Sequence, residues 1–435
     1  MTLEIKKRIE QIRNGDVPEG YKRTKAGIIP EKWEIKKLSD VLKKQTQKNT
    51  DNAIQNVLTN SATQGIVCQT DYFDKQIANN ENTAGYYVVK PGYFVYNPRI
   101  SVSAPCGPFN RYNGDKDGIM SPLYSVYCFC DKSITYADYL TYYFSSSKWH
   151  AYMNSIANYG ARSDRMNVTG EDMNNMPIPY PPLPEQQKIV AILSAQDKVI
   201  ECCEKKIEQL KRMKKYYLQN MFPKRGETVP KIRFKGFADA WEQRKITELG
   251  EIFIGLVTTM TSHYTNHGAL LIRNSDIKDG RFEFGDNPIY LDYDFARQNA
   301  PRKHRAGDVI TVHTGDIGTS AVITEKEDGS IGFATIVTRP NNKIIKSKYL
   351  CTYLNTDVHK AFAMNMSTGD GRNNYNLKDF YKCIVPVPSI PEQAMVSEFI
   401  EKMNNLITLH QRLRDEEKKK KKALQQLLLT GIVRL

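Results

Sequence analysis

At 435 residues the chain is longer than one hydrophobic core usually supports, so two domains are the starting expectation. Hydrophobic residues make up 40% of the sequence, yet no apolar run reaches the roughly 20 residues of a membrane-spanning helix, and the charged N-terminus lacks the apolar centre of a secretory signal. These features predict a cytoplasmic protein, while the net charge of +14 favours an acidic partner such as nucleic acid or an anionic membrane surface.

In chain order, the first predicted element is an N-terminal helix within residues 1–19. Short β-branched or aromatic runs, broken by Gly, Pro and Asn, then predict strands, and apolar residues at three- and four-residue spacing predict a helix at about 136–158. Prolines from Pro177 to Pro184 are interpreted as a rigid lead into a new helix, because proline fits the first turn of a helix. The predicted strands include residues 86–89, 93–96 and 123–129.

The new helix, expected within residues 182–225, has an apolar seam that needs a partner helix. The second half of the chain repeats this order of elements and ends in a helix within 389–435. We expect the two long helices to pair as an antiparallel coiled coil; the alternative is two unrelated helices packed on their own domains. The predicted seams include Ile189, Gln196, Val199, Ile207 and Leu210 in the first helix, and Val396, Phe399, Met403 and Leu406 in the second. The second-half strands and helix are predicted at 309–312, 320–324 and about 347–366.

A sequence repeat at a spacing near 208 residues accounts for this shared order. Residues 33–40, WEIKKLSD, match residues 241–248, WEQRKITE, at seven of eight positions by identity or similarity. Further matches follow in the same order, so the chain is interpreted as a duplicated unit. They pair Tyr139 with Tyr349, Tyr143 with Tyr353, Gly160 with Gly369, Asn167 with Asn376, Pro177 with Pro386, Pro179 with Pro388, and Glu185 with Glu392.

Known catalytic motifs are missing from the sequence. It contains no nucleotide-binding glycine loop with its lysine, no dinucleotide fingerprint, no zinc-protease helix and no nucleophile elbow. The segment Asn97-Pro98-Arg99-Ile100 lacks the second proline and the aromatic residue of an adenine-methyltransferase motif. The eight cysteines and seven histidines have no metal-site spacing. We therefore predict a non-catalytic binding protein that holds no metal and no cofactor.

The duplicated motifs resemble those of the specificity subunits of Type I restriction-modification enzymes. The resemblance extends from about Gly20 to Gly431 and includes a Trp-Glu opening, a Gly, Asn and Pro-x-Pro loop, a Pro-Glu-Gln helix start and a long amphipathic helix, each present twice. It implies an α+β fold with two tandem globular α/β target-recognition domains, each followed by a long helix. The implied boundaries are an N-terminal helix at 1–19, target-recognition domains at 20–181 and 226–388, and spacer helices at 182–225 and 389–435.

The resemblance also implies a function and partners. Each globular domain would read one half of a bipartite, asymmetric site in double-stranded DNA, and the paired helices would set the number of unread base pairs between the halves. Two methyltransferase subunits, which carry S-adenosylmethionine, and two restriction (motor-nuclease) subunits, which consume ATP, would bind the chain. Neither cofactor would bind the chain itself, and the N-terminal helix would pack near the end of the C-terminal helix.

Polar side chains in the loops are the predicted DNA contacts, because Arg pairs bidentately with guanine and Asn or Gln with adenine. The alternative for each is a turn-forming or phosphate-contacting role. Trp33 and Trp241, by contrast, are expected to be core residues. The first-half candidates are Asn97, Arg99, Arg162, Ser163, Arg165 and Asn167. The second-half candidates are Arg273, Asn274, Asp276, His313, Arg372, Asn373 and Asn374.

Two other functions stay open on the sequence alone. A duplicated coiled-coil scaffold would bridge protein partners without sequence-specific DNA binding, and an enzyme would carry an unrecognised site. The basic stretches do not decide between them: residues 198–225 contain nine Lys or Arg against three Glu, and residues 411–435 contain eight against three acidic residues. A charge run of this kind is usually a solvated helix face.

Overall fold

The chain forms two compact units in a computed structural model, which describes residues 2–72, 83–131, 137–157, 164–224, 226–367 and 373–435. Unit 1 consists of Met1–Cys203 together with Leu413–Leu435, and unit 2 consists of Glu204–Arg412. Two long helices therefore contribute to both units. Within the described residues, no helix combines the length and the apolar character that crossing a membrane requires.

Unit 1 has a mixed α/β fold. Its helices are α1 (Leu3–Asn14), α2 (Leu38–Val41), α3 (Gln69–Tyr72), α4 (Ala137–Phe144), α5 (His150–Ile156), α6 (Gly170–Asn174) and the first part of α7 (Leu183–Asn220). Its strands are β1 (Tyr21–Thr24), β2 (Gly27–Pro30), β3 (Glu34–Lys37), β4 (Leu42–Gln45), β5 (Leu58–Ser61), β6 (Gly65–Cys68), β7 (Tyr87–Val89), β8 (Phe94–Tyr96), β9 (Phe109–Arg111), β10 (Gly118–Met120), β11 (Ser125–Phe129) and β12 (Pro177–Tyr180).

Unit 2 is built in the same way. Its helices are α8 (Tyr293–Gln298), α9 (Ser347–Leu354), α10 (Asp357–Met366), α11 (Leu377–Phe380) and the first part of α12 (Ile390–Leu428). Its strands are β13 (Glu242–Lys245), β14 (Gly250–Ile254), β15 (Tyr264–Thr265), β16 (Ala269–Arg273), β17 (Ile277–Lys278), β18 (Arg281–Phe282), β19 (Tyr290–Leu291), β20 (Val309–Thr311), β21 (Ser320–Val322), β22 (Ile331–Phe333), β23 (Ile336–Pro340) and β24 (Ile384–Val387).

The central sheets of the two units have the same topology. The strand order is β4-β11-β8-β9 in unit 1 and β14-β23-β20-β21 in unit 2, and every neighbouring pair is antiparallel. Each unit also pairs the strand after its repeated tryptophan with the strand before its long helix, as β3-β12 and β13-β24. The predicted duplication is confirmed, as are the strands expected at 86–89, 93–96, 123–129, 309–312 and 320–324.

Aromatic residues dominate the core of each unit. Trp33 is 0% exposed and Trp241 is 2% exposed, so their expected core role is confirmed. In unit 1 the ring of Phe109 packs against those of Phe144 and Trp149. Burying side chains of this size stabilises a unit strongly, because truncating a buried Phe or Trp to Ala costs about 3 to 5 kcal/mol.

The helices expected at 136–158 and 347–366 are wrong as single helices. Each is broken in two, into α4 and α5 in unit 1 and into α9 and α10 in unit 2. In unit 2 the hydroxyl of Thr356 accepts a hydrogen bond from the His359 N–H at 3.3 Å, which caps the start of α10. In unit 1 the indole N–H of Trp149 donates to the Phe144 carbonyl at 2.9 Å and satisfies the end of α4.

The interpretation of Pro177 and Pro179 as part of a helix lead is wrong, because both lie in strand β12 and pair with β3. Proline is tolerated there since a two-stranded sheet has only edge strands. The register also corrects the repeat: Lys37 faces Pro177 and Lys245 faces Ile384, so Pro179 corresponds to Pro386 rather than to Pro388. The repeated tyrosines follow this register, because Tyr139 donates to the Pro179 carbonyl and Tyr349 to the Pro386 carbonyl.

The Pro-Glu-Gln motif joins each long helix to its unit. The Gln186 amide donates to the Pro181 carbonyl at 2.8 Å, and the Gln393 amide donates to the Pro388 carbonyl at 2.9 Å. The buried carboxylates of the motif each accept from an arginine: Glu185 from Arg434 at 2.9 Å, and Glu392 from both Nε and Nη2 of Arg233 at 2.7 and 2.9 Å. The motif occurs in both units because it fixes the start of each long helix to the unit that precedes that helix in the chain.

The long helices α7 and α12 pair antiparallel, as expected. Within unit 1, Glu185 is paired with Arg434 just beyond α12, and further along α7 the Gln196 amide donates to the Glu417 carbonyl at 3.4 Å. Within unit 2, the ring of Tyr217 lies 4.8 Å from that of Phe399. The predicted seam is confirmed at Gln196, Ile207, Leu210, Val396 and Met403, which are buried. It is wrong at Val199 and Leu406, which are 46% and 45% exposed; Ile200 is buried instead of Val199.

The ends of the chain meet within unit 1. Arg8 of α1 donates to the Ile432 carbonyl and Tyr21 donates to the Gly431 carbonyl, both at 2.6 Å. A Cβ atom at Gly431, where φ is +67°, would lie 2.4 Å from Pro30 Cγ, so only glycine fits this turn. The expected packing of the N-terminal helix near the end of the C-terminal helix is confirmed.

Candidate functional site

In unit 1, three chain segments meet at one end of the central sheet. They are the end of β5, the loop that follows β8, and residues 164–167, which precede α6. The Asn97 amide, at the end of β8, donates to the Asn60 carbonyl of β5 at 3.1 Å, and the Met166 N–H donates to the Pro98 carbonyl at 2.9 Å. The segments surround an open depression of about 420 Å³, which Tyr124 also lines.

Two arginines face this depression. The backbones of Arg99 and Arg165 are antiparallel partners, which places their side chains on the same side of the pair. The Arg99 side chain is 69% exposed and lies 3.9 Å from the Asp164 carboxylate. The Nε of Arg165 is buried and has no hydrogen-bond partner among the described residues. Because a buried donor without an acceptor is costly, this pair of guanidinium groups favours an anionic or acceptor-rich ligand.

A glycine allows the loop after β8 to fold back on itself. Gly107 has a φ of +76°, and a Cβ atom there would lie 2.0 Å from the Asn97 carbonyl oxygen. Its N–H donates to the Ala104 carbonyl at 3.0 Å, while the Asn97 N–H donates to the Pro108 carbonyl at 2.9 Å. The position of Asn97 at the depression therefore depends on a residue without a side chain at 107.

Unit 2 assembles the same three segments. They are the end of β16 with the turn after it, the loop after β20, and the residues before α11. Thr314 and Asn374 are backbone partners as Arg99 and Arg165 are in unit 1. The Tyr375 N–H donates to the His313 carbonyl at 2.8 Å, which matches the bond from Met166 to Pro98. The two units thus share one backbone frame and differ in the side chains on it.

Several polar side chains of the unit 2 site hold the frame together. The Asn274 side chain accepts from the His313 N–H at 2.9 Å and donates to the Ala334 carbonyl at 3.1 Å. The Thr314 hydroxyl donates to the Asn374 side-chain oxygen at 2.8 Å. Burial lowers the pKa of His313, so its imidazole is neutral near pH 7. Asn274 and Asn374 therefore link loops, which is the turn-forming role left open by the sequence.

Arg273 and Asp276 form a hydrogen-bonded fork in which only the carboxylate is buried. The Nε and Nη2 atoms of Arg273 donate to the two carboxylate oxygens of Asp276 at 3.0 and 2.8 Å. The Asp276 side chain is 4% exposed, whereas that of Arg273 is 39% exposed. This hydrogen bonding raises the pKa of Arg273 above its usual value. Asp276 is thus buried behind the arginine, while the guanidinium group faces solvent.

The structure brings together Asn97, Arg99 and Arg165 in unit 1, and Arg273, Asn274, Asp276, His313 and Asn374 in unit 2. Asn167 is exposed one residue beyond Met166. The Asn373 amide lies 3.2 Å from the sulfur of Met364. Arg162, Ser163 and Arg372 lie outside the described residues. Sequence reasoning missed Asn60, Tyr124 and Phe333. Phe333 is the backbone partner of Arg273 in the pairing of β16 with β22 and is 40% exposed, but no sequence motif marks it.

Comparison with known proteins gives consistent results. The sequence matches the family described as Type I restriction modification DNA specificity domain twice, over residues 30–212 and 238–418. It is 24% identical to the putative type I restriction enzyme MjaX specificity subunit of Methanocaldococcus jannaschii, over 96% of this chain and 97% of that protein. It is also 30% identical to the EcoBI specificity subunit of Escherichia coli, over 31% of this chain and 28% of that protein.

Solved structures share the fold. One, from work on complex assembly and conformational transition of the type I R-M system, is 17% identical, covers 93% of this chain and 99% of its own, and has a TM-score of 0.60. The S subunit of a Type-I restriction-modification system from M. genitalium is 13% identical, covers 91% and 96% of the two chains, and has a TM-score of 0.51. At these identities the likeness concerns the fold alone.

Proposed function

The chain belongs to the Type I restriction modification DNA specificity domain family, and we propose that each of its units reads one half of a bipartite DNA site where its three segments meet. Members of this family recognise DNA for a restriction-modification complex and are not its catalytic subunits. The scaffold without sequence-specific DNA binding is therefore not favoured. The cytoplasmic location expected from the sequence stays a prediction.

One observation carries the proposal: the two units hold different polar side chains on the same backbone frame. Arg99 and Arg165 of unit 1 are replaced by Thr314 and Asn374 in unit 2, although the backbone pairing is the same. A frame that is kept while its side chains change suits two readers of different base sequences. Guanidinium and amide groups are also the side chains that recognise base edges in the major groove.

The partners that we infer are double-stranded DNA, two methyltransferase subunits and two restriction subunits. An exposed apolar stripe on α12 supports a helical protein partner. Met395, Leu406 and Leu409 are 40%, 45% and 52% exposed, and their spacing of eleven and three residues places them on one face of the helix. Exposed apolar stripes on helices fit a partner helix in a groove. We assign this stripe to the methyltransferase.

The paired helices are the proposed ruler of the site. Because α7 and α12 each contribute to both units, their length is suited to set the number of unread base pairs between the two half-sites. Two reading sites on one face of DNA are spaced by about 34 Å or its multiples.

The function is tested by DNA binding of the complex between the chain and its methyltransferase. We expect tight binding to a duplex that contains the methylated motif of the host cell and weaker binding to a scrambled duplex of the same length at the same salt. Specific sites are typically bound about 10³-fold or more tightly than non-specific DNA. Equal affinity for both duplexes would favour the scaffold instead.

A further inference from the structure

We propose that Arg273 reads a guanine in the half-site of unit 2, and that Asp276 is the positioning residue that fixes its orientation; this rests on the proposed function. Arg273 is the last residue of β16, and Asp276 ends the short 3-10 turn after it, Asn274–Asp276. The two side chains therefore belong to one strand-and-turn segment of the unit 2 site.

The hydrogen bonds of the fork leave one edge of the guanidinium group available. Asp276 accepts from Nε and Nη2 of Arg273, and its carboxylate also accepts from the Arg273 backbone N–H at 2.9 Å. A guanidinium group has five N–H donors, and this fork uses two of them. Among the described residues, none accepts a hydrogen bond from Nη1 of Arg273. The outer edge, formed by Nη1 and the second N–H of Nη2, is thus held in one plane.

Among the hydrogen-bonding groups of DNA, guanine is the one that best fits this edge of the Arg273 guanidinium group. Its O6 and N7 atoms are neighbouring acceptors in the major groove and pair bidentately with a planar guanidinium group. Holding the arginine in place beforehand reduces the entropy that is lost on binding. The neighbour of Arg273 on β22 is the half-exposed Phe333, so one side of the site is apolar and suits a base rather than a solvated phosphate.

Arg99 of unit 1 provides a contrast. Its side chain is 69% exposed and lies 3.9 Å from the Asp164 carboxylate, and among the described residues no carboxylate forms a fork with it. Without such a fork, an exposed guanidinium group must lose more side-chain freedom before it can pair bidentately with a base. The assignment to guanine therefore applies to Arg273 and is not a general property of the arginines at the two sites.

The half-site of unit 2 is identified first. Residues 232–387 are replaced by the corresponding segment of another family member, and the methylated motif is mapped by sequencing; the half that changes belongs to unit 2. We expect the original half to contain at least one G·C pair. A half made only of A·T pairs would overturn the inference while leaving the proposed function intact. Absence of any sequence-specific methylation by the complex of the unmodified chain with its methyltransferase would instead refute the proposed function.

The contact itself is tested on the complex with its methyltransferase. Duplexes carry 7-deazaguanine, which lacks N7, at each guanine of this half in turn. For the unmodified protein, one position should weaken binding about tenfold or more. For Arg273→Ala, binding should be weaker overall and insensitive to that replacement. Arg273 would not read the guanine if Arg273→Ala still lost as much affinity on the 7-deazaguanine duplex as the unmodified protein does. The same conclusion would follow if Arg273→Ala weakened binding equally on specific and scrambled duplexes.

The positioning role of Asp276 is tested with Asp276→Asn. We expect the ratio of affinities for guanine and 7-deazaguanine duplexes to fall severalfold. The complex should still bind a duplex with changed base pairs in the unit 1 half-site as much more weakly as the unmodified protein does. A purely structural role would leave the guanine ratio unchanged. Arg297→Ala is the matched control, because Arg297 pairs with Asp294 at the surface of the same unit and both side chains are at least 75% exposed. It should change neither ratio.

Discussion

At the scale of single residues, Arg233 and Glu392 form an ion pair of unit 2 in which the carboxylate is buried. The Glu392 side chain is 1% exposed, and it accepts two hydrogen bonds from the Arg233 guanidinium group. Arg233→Ala would leave a buried carboxylate without its partner, so we expect the free energy of unfolding to fall by about 3 to 5 kcal/mol. Urea unfolding of the full chain measures this loss.

Lys348→Ala is the matched control for that variant. Lys348 pairs with Glu401 in the same unit, but the two side chains are 61% and 46% exposed. Exposed pairs contribute little, so this substitution should cost less than about 1 kcal/mol. Similar losses for Arg233→Ala and Lys348→Ala would contradict the assignment of Glu392 as a buried charge that depends on Arg233.

A second residue-scale prediction concerns acid. Burial lowers the pKa of His359 to about 4 and that of His304 to about 3, whereas an exposed imidazole has a pKa of about 6.5. The unfolded chain therefore takes up these protons at a higher pH than the folded unit does. The contribution of these two histidines to the free energy of unfolding of unit 2 should be fully present above about pH 7.5 and should decrease as the pH falls through 6.5 towards 4.

His359 connects this effect to the candidate site. Its Nδ1 lies 2.7 Å from the Leu354 carbonyl, and its Nε2 lies 3.4 Å from the hydroxyl of Tyr375, the residue after Asn374. The non-titrating variant His359→Gln should show a smaller dependence of unfolding free energy on pH between 6.5 and 4 than the unmodified chain. Urea unfolding at several pH values compares the two, and identical slopes would show that His359 does not carry the effect.

The limits of sequence reasoning are clearest at Arg99 and Thr314. These residues occupy equivalent positions, as do Arg165 and Asn374, yet the paired side chains share no chemistry. The spacing of 209 residues that pairs Asn167 with Asn376 also aligns Arg165 with Asn374, but Arg99 and Thr314 lie 215 residues apart, and only their backbone pairing shows that they are equivalent. The frame residues Trp33 and Trp241 were predictable because burial demands the same large side chain in both units.

At the scale of elements, the same reasoning explains which strands and helices were predictable. The long amphipathic helices have a seam repeated over many turns, so their existence follows from the sequence pattern. Strand β12 was missed because its prolines resemble a proline-rich segment that precedes a helix. Only its pairing with β3 shows that they lie in an edge strand. At the break between α9 and α10, the Asn355 amide donates to the Cys351 carbonyl of α9 and the Thr356 hydroxyl caps the start of α10.

The exposed stripe of α12 gives a prediction at this scale. Leu406→Asp together with Leu409→Asp should weaken methyltransferase binding by at least tenfold, because each leucine buried on binding contributes roughly 1.5 to 3 kcal/mol. The chain should still fold, since both leucines are about half exposed in it. Val358→Asp is the matched control, as it adds a charge at an apolar position of α10 that is 40% exposed and lies on another helix of unit 2. Calorimetry with the purified methyltransferase decides, and unchanged affinity would exclude the stripe as its docking face.

At the scale of the whole molecule, the duplication extends to the segments that follow the long helices. Arg233, after α7, pairs with Glu392 in unit 2, and Arg434, after α12, pairs with Glu185 in unit 1. The C-terminal segment therefore completes unit 1 as residues 231–235 complete unit 2. The sequence repeat did not pair these two arginines. The copy that contains Arg434 follows α12, whereas most of unit 1, which it completes, lies at the start of the chain.

The proposed ruler leads to a prediction about DNA spacing. Inserting four residues within Lys205–Lys211 lengthens α7 by about 6 Å, at 1.5 Å per residue, and rotates the rest of the helix by about 400°. The apolar seam is then only about 40° from its original direction, so pairing with α12 is strained but retained. On DNA, 6 Å is just under two base pairs at about 3.4 Å each. We expect unchanged half-sites with a spacer longer by one or two base pairs.

A one-residue insertion at the same place is the control. It rotates the seam by about 100°, which turns Ile207 and Leu210 or their partners away from the helix interface, and methylation should be lost. Mapping the methylated sites of cells that carry each variant measures both outcomes. An active four-residue variant that keeps the original spacer would mean that the helices do not set the spacing, because the insertion would have lengthened α7 without moving the half-sites apart.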